Sequence, residues 1–211
     1  MRFVFALICL ASSCYGQIIS TPTVWKKSGS PYTITGSLAL RSTLTIEAGV
    51  EVRVATSGRI TFWTNSAPVL IINGTESEPV VFRSSNGTQW QGFNVPAQTS
   101  RRAVMRADNA IFRDLGAGSV FALWNGDIDL FNCEFYGVPT IPAGNIGAGT
   151  PSRIGIGGTT IGAVEQCHFE GFGSGITLAP GLALLNCDFA NIPDAIRIQP
   201  GRAATVSALG L

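Results

Sequence analysis

The amino-acid sequence predicts an all-β chain, folded as a single-stranded parallel β-helix, a solenoid of about eight short coils. Short runs of β-prone residues recur throughout, separated by Gly, Ser, Asn or Pro. No window carries sustained apolar residues at the spacing of a helix. The second half repeats a short motif at intervals close to one solenoid coil. These observations favour the solenoid over a sandwich of hairpins, which needs longer strands and two-residue turns.

Residues 1–16 are predicted to be a secretory signal peptide, outside the fold. A basic residue near the start is followed by an apolar run over residues 3–11 and by small residues ending at Gly16. The run is far shorter than the ~20 residues of a membrane-spanning helix. Cleavage is expected after Gly16, with cleavage after Ser13 or a lipid-modified Cys14 as alternatives. The sequence therefore predicts a secreted, extracellular chain without a membrane span.

Behind the signal peptide, residues 17–30 are expected to form a lead-in or cap, and residues 31–211 the β-helix. Its first half carries predicted strands at residues 32–34, 44–46, 51–54, 60–62, 69–72 and 80–82. The last residues look like the first strands of a further coil, with neither the repeated Phe nor a polar cap. Since solenoids need caps, the sequence predicts a fragment whose β-helix is incomplete at its C-terminus.

Four copies of one motif mark successive coils in the second half. Each is an amide residue, a small residue, a variable residue and Phe, at residues 109–112, 132–135, 166–169 and 186–189, with start-to-start spacings of 23, 34 and 20. The longest interval holds a Gly- and Pro-rich stretch, residues 138–160, expected to loop out of one coil. Because equivalent residues of a parallel β-helix stack at ~4.8 Å, the Phe and the small residue are predicted to face the core. The amide is predicted at a turn, where Asn tolerates a left-handed backbone.

Residues 31–95 also resemble the opening coils of secreted right-handed parallel β-helix proteins of the pectin-lyase-like class. The matching stretches are YTITGSL at 32–38, LTIEAGVEV at 44–52, GT at 74–75 with PVVF at 79–82, and WQGF at 90–93. The family usually has Pro where this chain has Ala48 and a small residue where it has Gln91. The resemblance implies that the β-helix is right-handed. Among animal proteins the opening is similar to the repeat units of the Bark beetle cell–cell junction protein, which implies a role in adhesion.

One pair of carboxylates is a candidate for polysaccharide chemistry. Asp127 and Asp129 stand two apart on a predicted strand and share its outer face, where they could act as acid and base across a glycosidic bond. The alternative is an ordinary solvated face. Polygalacturonase-type enzymes of the family also carry Gly-His-Gly and Arg-x-Lys. Here the single His168 lies between Cys167 and Phe169, facing outward, and Arg197 is followed by Ile and Gln. The resemblance therefore implies no complete catalytic set.

Two further groups of residues are singled out by their positions. Cys133, Cys167 and Cys187 occupy one position of the repeated motif, so they are predicted to stack in the core, either as buried thiols or with two of them in a disulfide. Their spacing matches no zinc motif, so neither a metal site nor a cofactor is predicted. Asn73 and Asn86 begin Asn-Gly-Thr sequons, which predict N-glycosylation in a secreted chain or, alternatively, simple Asn-Gly turns.

The charge balance limits the classes of partner. With 14 basic and 13 acidic residues the formal net charge is +1, which argues against nucleic acid and acidic lipid. The function predicted is a secreted, non-catalytic extracellular scaffold, as part of a cell-surface adhesion or cell–cell junction protein. The alternative is a polysaccharide lyase or glycoside hydrolase of the pectin-lyase-like fold. An extracellular glycan and another surface protein are the candidate partners.

Overall fold

The computed structural model describes residues 16–56, 58–63, 65–95, 102–116, 121–123, 126–137, 153–155, 161–172, 174–178, 181–192, 196–198 and 205–207. Short β-strands dominate these residues, and their single helical turn is a 3-10 turn at Lys27–Gly29. The predicted all-β class is confirmed. The signal peptide predicted at residues 1–16 lies outside the described residues except for Gly16.

The strands follow one another closely along the described chain. In chain order they are β1 (Gln17–Ile19), β2 (Thr23–Trp25), β3 (Tyr32–Ile34), β4 (Ser37–Leu40), β5 (Thr43–Glu47), β6 (Glu51–Val54), β7 (Arg59–Phe62), β8 (Val69–Asn73), β9 (Val80–Ser84), β10 (Phe93–Val95), β11 (Ala103–Asp108), β12 (Ala110–Leu115), β13 (Phe121–Leu123), β14 (Gly126–Phe131), β15 (Glu134–Gly137), β16 (Arg153–Gly155), β17 (Ile161–Glu165), β18 (His168–Glu170), β19 (Ser174–Leu178), β20 (Leu182–Leu185), β21 (Asp188–Ala190), β22 (Ile196–Ile198) and β23 (Thr205–Ser207).

Successive strands visit three sheets in turn. The first sheet has the order β1-β4-β7-β10-β13, and β13 then contacts β16 of a short sheet ordered β16-β19-β22. The second sheet runs β2-β5-β8-β11-β14-β17-β20-β23, and the third runs from β3 through β6, β9, β12, β15 and β18 to β21. Within each sheet every strand thus pairs in parallel with the strand three places along, while β13 and β16 are in contact without pairing, and we call three consecutive strands a layer. This topology is consistent with the predicted parallel β-helix.

The interior is a set of columns, each built from equivalent residues of successive layers. In the third sheet, register places Phe82, Phe112, Phe135, Phe169 and Phe189 in one column, which we call the phenylalanine stack. Its successive ring centroids are 5.1, 4.8, 4.7 and 5.1 Å apart, and the rings are within 23° of parallel. These distances match the strand spacing, so each ring packs on the next. The predicted core position of the repeated Phe is confirmed.

The repeated amides form the bend between the second and third sheets. Asn109, Asn132, Gln166 and Asn186 have φ values of 50°, 49°, 53° and 51°, the left-handed region predicted for this position. Asn132 Nδ2 donates to Asn109 Oδ1 at 2.7 Å. The main-chain N–H of Asn132 donates to the carbonyl of Glu165 in the next layer at 3.0 Å. The hydrogen-bond pattern of the sheets therefore continues through the bend.

Two segments predicted from the sequence without strands contain short ones. The lead-in expected over residues 17–30 contains β1 and β2, which pair with β4 and β5, so strand pairing among the described residues starts at Gln17. Trp25 of β2 stacks on Tyr32 of β3, with centroids 4.7 Å apart, and both rings pack against the core. Within the loop expected over residues 138–160, the structure describes only β16 (Arg153–Gly155). The other residues of this stretch lie outside the described ranges.

Candidate functional site

The predicted carboxylate pair lies on the outer face of the second sheet. Asp127 and Asp129 of β14 alternate with buried Ile128 and Leu130, so both face away from the core as expected. Each carboxylate lies beside an arginine of the layer before it. Arg102 Nε donates to Asp127 Oδ1 at 2.8 Å, and Arg106 Nε lies 3.7 Å from Asp129 Oδ2. Each carboxylate is thus held next to the positive charge of an arginine.

The three motif cysteines stack inside the core. Cys133, Cys167 and Cys187 are buried and free, so the structure has thiols rather than a disulfide. Their sulfurs donate to main-chain carbonyls, for example from Cys187 Sγ to Val164 O at 3.2 Å. Hydrogen bonding with Cys133, hydrogen bonding with Cys187 and burial together raise the pKa of Cys167. A thiol held protonated in this way is a poor nucleophile and a poor metal ligand.

Both sequons lie on the surface, in different surroundings. Asn73 is exposed at the end of β8, and no side-chain hydrogen bond is made to it within the described ranges. Asn86 is exposed in the turn after β9, and its side chain is well bonded. Its Oδ1 accepts from Thr88 Oγ1 at 2.7 Å and its Nδ2 donates to Thr56 Oγ1 at 3.0 Å. The second sequon therefore also ties two layers together.

The outer face of the third sheet gathers charged side chains that are far apart in the sequence. Register aligns Glu134 with His168 and His168 with Asp188, and aligns Arg53 with Arg83. We call this surface the charged face, and it comprises Glu51, Arg53, Arg83, Arg113, Asp114, Glu134, Tyr136, His168, Glu170 and Asp188. Among these residues His168 is predicted from the sequence to face outward, and the structure confirms that orientation.

His168 binds two carboxylates at one end of the charged face. Its Nδ1 contacts Asp188 of the next layer, and its Nε2 lies 3.4 Å from Glu170 Oε2 on the same strand. Asn191 Nδ2 donates to the other oxygen of Glu170 at 3.2 Å. Partial burial disfavours the charged ring, but the hydrogen bonds to Asp188 and Glu170 outweigh it and raise the pKa of His168. The arrangement favours an imidazolium with both nitrogens engaged.

Arginines dominate the other end of the charged face. Glu51 Oε1 accepts from Arg53 Nε at 2.8 Å and from Arg83 Nε at 2.6 Å. The bond from Arg53, together with the bond from Arg83 and against some burial, lowers the pKa of Glu51. One carboxylate therefore serves two guanidinium groups and stays ionised.

Tyr136 lies between the two ends. The Arg113 guanidinium sits 5.0 Å from the centroid of the Tyr136 ring, a cation–π contact. The Tyr136 hydroxyl donates to Glu134 Oε2 at 2.8 Å. Burial, followed by the bond to Glu134, raises the pKa of the Tyr136 hydroxyl. Tyr136 therefore remains a neutral hydrogen-bond donor at physiological pH.

The described ranges hold no cluster of three or more His, Cys, Asp or Glu side chains arranged to ligate a metal. Within the same ranges, no helix has both the length and the apolar character required to cross a membrane. Comparisons with family models, curated proteins and solved structures found no match to this chain.

Proposed function

We propose that the chain is a right-handed, single-stranded parallel β-helix of about eight coils that serves outside the cell as a non-catalytic scaffold. Parallel pairing, within each sheet, of strands three places apart in the chain supports the solenoid. At ~4.8 Å per layer, eight coils form a rod roughly 35–40 Å long. Such a rod presents flat outer faces at fixed spacing, which suits adhesion or cell–cell junction proteins. An extracellular glycan or another surface protein is its candidate partner.

One observation carries the proposal: the candidate catalytic side chains of the described layers, Asp127, Asp129 and His168, lie against oppositely charged groups. A glycosidase needs one free carboxylate and a second whose pKa is raised. Asp127 lies instead in an ion pair with Arg102, and Asp129 lies beside Arg106. A general base needs an available nitrogen, whereas both ring nitrogens of His168 face carboxylates. These contacts favour a scaffold over the alternative, a polysaccharide lyase or hydrolase.

Secretion and N-glycosylation belong to the same proposal. The full chain, expressed in secreting eukaryotic cells, should appear in the medium with Gln17 as its first residue. Asn73→Gln and Asn86→Gln should each remove the mass of one glycan, because both asparagines are exposed. Intact-mass spectrometry before and after enzymatic deglycosylation measures the mass of the processed chain, which identifies its first residue, and the mass of the attached glycans. A retained signal peptide, or a mass unchanged by deglycosylation, would contradict the secreted-glycoprotein assignment.

The scaffold role is tested by comparing binding with cleavage. Beads coated with the secreted chain should bind cell surfaces saturably, and a panel of acidic and neutral polysaccharides should yield no new reducing ends or unsaturated products. An Asp127→Asn, Asp129→Asn double variant should behave identically in both assays. Cleavage that this variant abolishes would overturn the proposal in favour of the enzyme alternative. Absence of cell binding would also count against the adhesion role.

A further inference from the structure

We propose that the charged face is a self-complementary interface through which two copies of this chain pair with their long axes antiparallel. The charges on this face are segregated along the direction in which layers stack. Arg53, Arg83 and Arg113 lie on β6, β9 and β12 with two carboxylates, Glu51 on β6 and Asp114 on β12, and Asp114 Oδ2 accepts from the main-chain N–H of Ser84. We call these five charged residues the basic half.

The acidic half lies on the strands that follow. It consists of Glu134, Glu170 and Asp188 on β15, β18 and β21, with His168 as its single basic group. Partial burial is outweighed by the hydrogen bonds to Asp188 and Glu170, which raise the pKa of His168 and so favour the positively charged ring. The third sheet therefore has one end rich in arginine and one end rich in carboxylates.

Each half keeps charge after its internal pairs are formed. In the basic half Glu51 and Asp114 offset two of the three positive charges, and within the described residues no carboxylate pairs with Arg113, which lies on the Tyr136 ring. One positive charge remains. In the acidic half His168 offsets one of three carboxylates, and Glu134 accepts from the neutral Tyr136 hydroxyl. Two negative charges remain, so the two halves are opposite in sign.

This pattern selects the partner and its orientation. A second copy turned by a twofold axis near β12 places its acidic half on the basic half of the first copy, and the reverse contact forms at the same time. A parallel copy would place like charges together, at a cost that disfavours it. Val81 of β9 and Ile111 of β12 lie next to this axis, where they are aligned in register and partly buried. Their aliphatic side chains are free of charge where the two faces cross.

The size of the face sets the strength expected. Seven strands span about 29 Å, and about three residues per strand give a width of about 10 Å. One copy therefore contributes roughly 300 Å², well below the ~800 Å² per partner of a stable interface. The association should be weak and driven by charge. Because the Debye length is only about 10 Å in 0.1 M salt, it should weaken as salt rises. The inference rests on this face alone and stands apart from the scaffold role.

Charge reversal tests the proposal on the full secreted chain, by sedimentation equilibrium at about 20 mM and about 500 mM salt. One variant carries Arg53→Glu with Arg83→Glu, and the other carries Glu170→Arg with Asp188→Arg; all four side chains are well exposed. Each variant alone has two halves of one sign and should be monomeric. An equimolar mixture should form a 1:1 heterodimer at low salt, which also shows that both variants fold.

The unaltered chain should self-associate at low salt and lose this association at high salt. A matched control, Arg59→Glu with Arg106→Glu, reverses two charges on the other sheets and should leave self-association unchanged. The proposal is overturned if the unaltered chain stays monomeric at millimolar concentration and low salt. It is equally overturned if either variant alone self-associates as before, or if the mixture fails to pair.

Discussion

Truncating the centre of the phenylalanine stack should destabilise the whole rod. Phe135 is fully buried, with the ring of Phe112 at 4.8 Å on one side and that of Phe169 at 4.7 Å on the other. Replacing a buried Phe by Ala costs about 3–5 kcal/mol, and each aromatic pair adds about 0.5–1.5 kcal/mol to burial. Because Phe135 has a ring on both sides, we expect Phe135→Ala to lower the free energy of unfolding by about 4–5 kcal/mol.

The assay is equilibrium urea unfolding followed by far-ultraviolet circular dichroism. Phe131→Ala is the matched control, since Phe131 is four residues earlier but faces outward with 41% of its surface exposed. It should change the unfolding free energy by no more than about 0.5 kcal/mol. If Phe135→Ala does not fold, Phe135→Leu keeps most of the volume and should cost about 1–2 kcal/mol. Equal effects at positions 131 and 135 would refute the placement of the repeated Phe in the core.

Three other expectations follow from the same layers. Asn132→Val should destabilise more than Asn132→Gly in urea unfolding, since a β-branched residue disfavours the left-handed φ of 49° and Gly adopts it freely; the reverse order would contradict the bend. The stability that His168 contributes should be complete below its unfolded-state pKa of about 6.5 and should fall as pH rises through its raised folded-state pKa. His168→Gln should flatten that pH dependence, and an unchanged profile would contradict the contacts with Asp188 and Glu170. Native Cys133, Cys167 and Cys187 should resist thiol labelling until urea unfolds the chain, because all three are buried and hydrogen-bonded; fast labelling would contradict their core position.

The interior was predictable because the orientation of each core residue depends on the sequence immediately around it. Each repeated Phe needs only the strand alternation of its own motif to face inward, and Asn132 needs only its preference for a left-handed turn. The unequal spacings did not matter, since extra residues can loop out between strands without changing the register of Phe135 on Phe169. For the same reason Asp127 and Asp129 were placed correctly on an outer face.

The surface was not predictable because its contacts depend on register between layers. Glu51 and Arg83 are 32 residues apart, and His168 and Asp188 are 20 apart. Their proximity follows from pairing of β6 with β9 and of β18 with β21, which no local pattern specifies. Likewise no local pattern indicates that Arg102 pairs with Asp127 of the adjacent layer. Strands of three residues at β1 and β2 were too short to distinguish from a lead-in.

An experimentally determined structure of the secreted chain tests the layered register most directly. We expect parallel pairing, within each sheet, of strands three places apart in the chain, and Phe112, Phe135 and Phe169 in one column with centroids 4.8 and 4.7 Å apart. We also expect the His168 ring to lie between Glu170 and Asp188 on the outer face of the same sheet. Antiparallel hairpins, or a shift that moved any of these phenyl rings to the surface, would contradict this register.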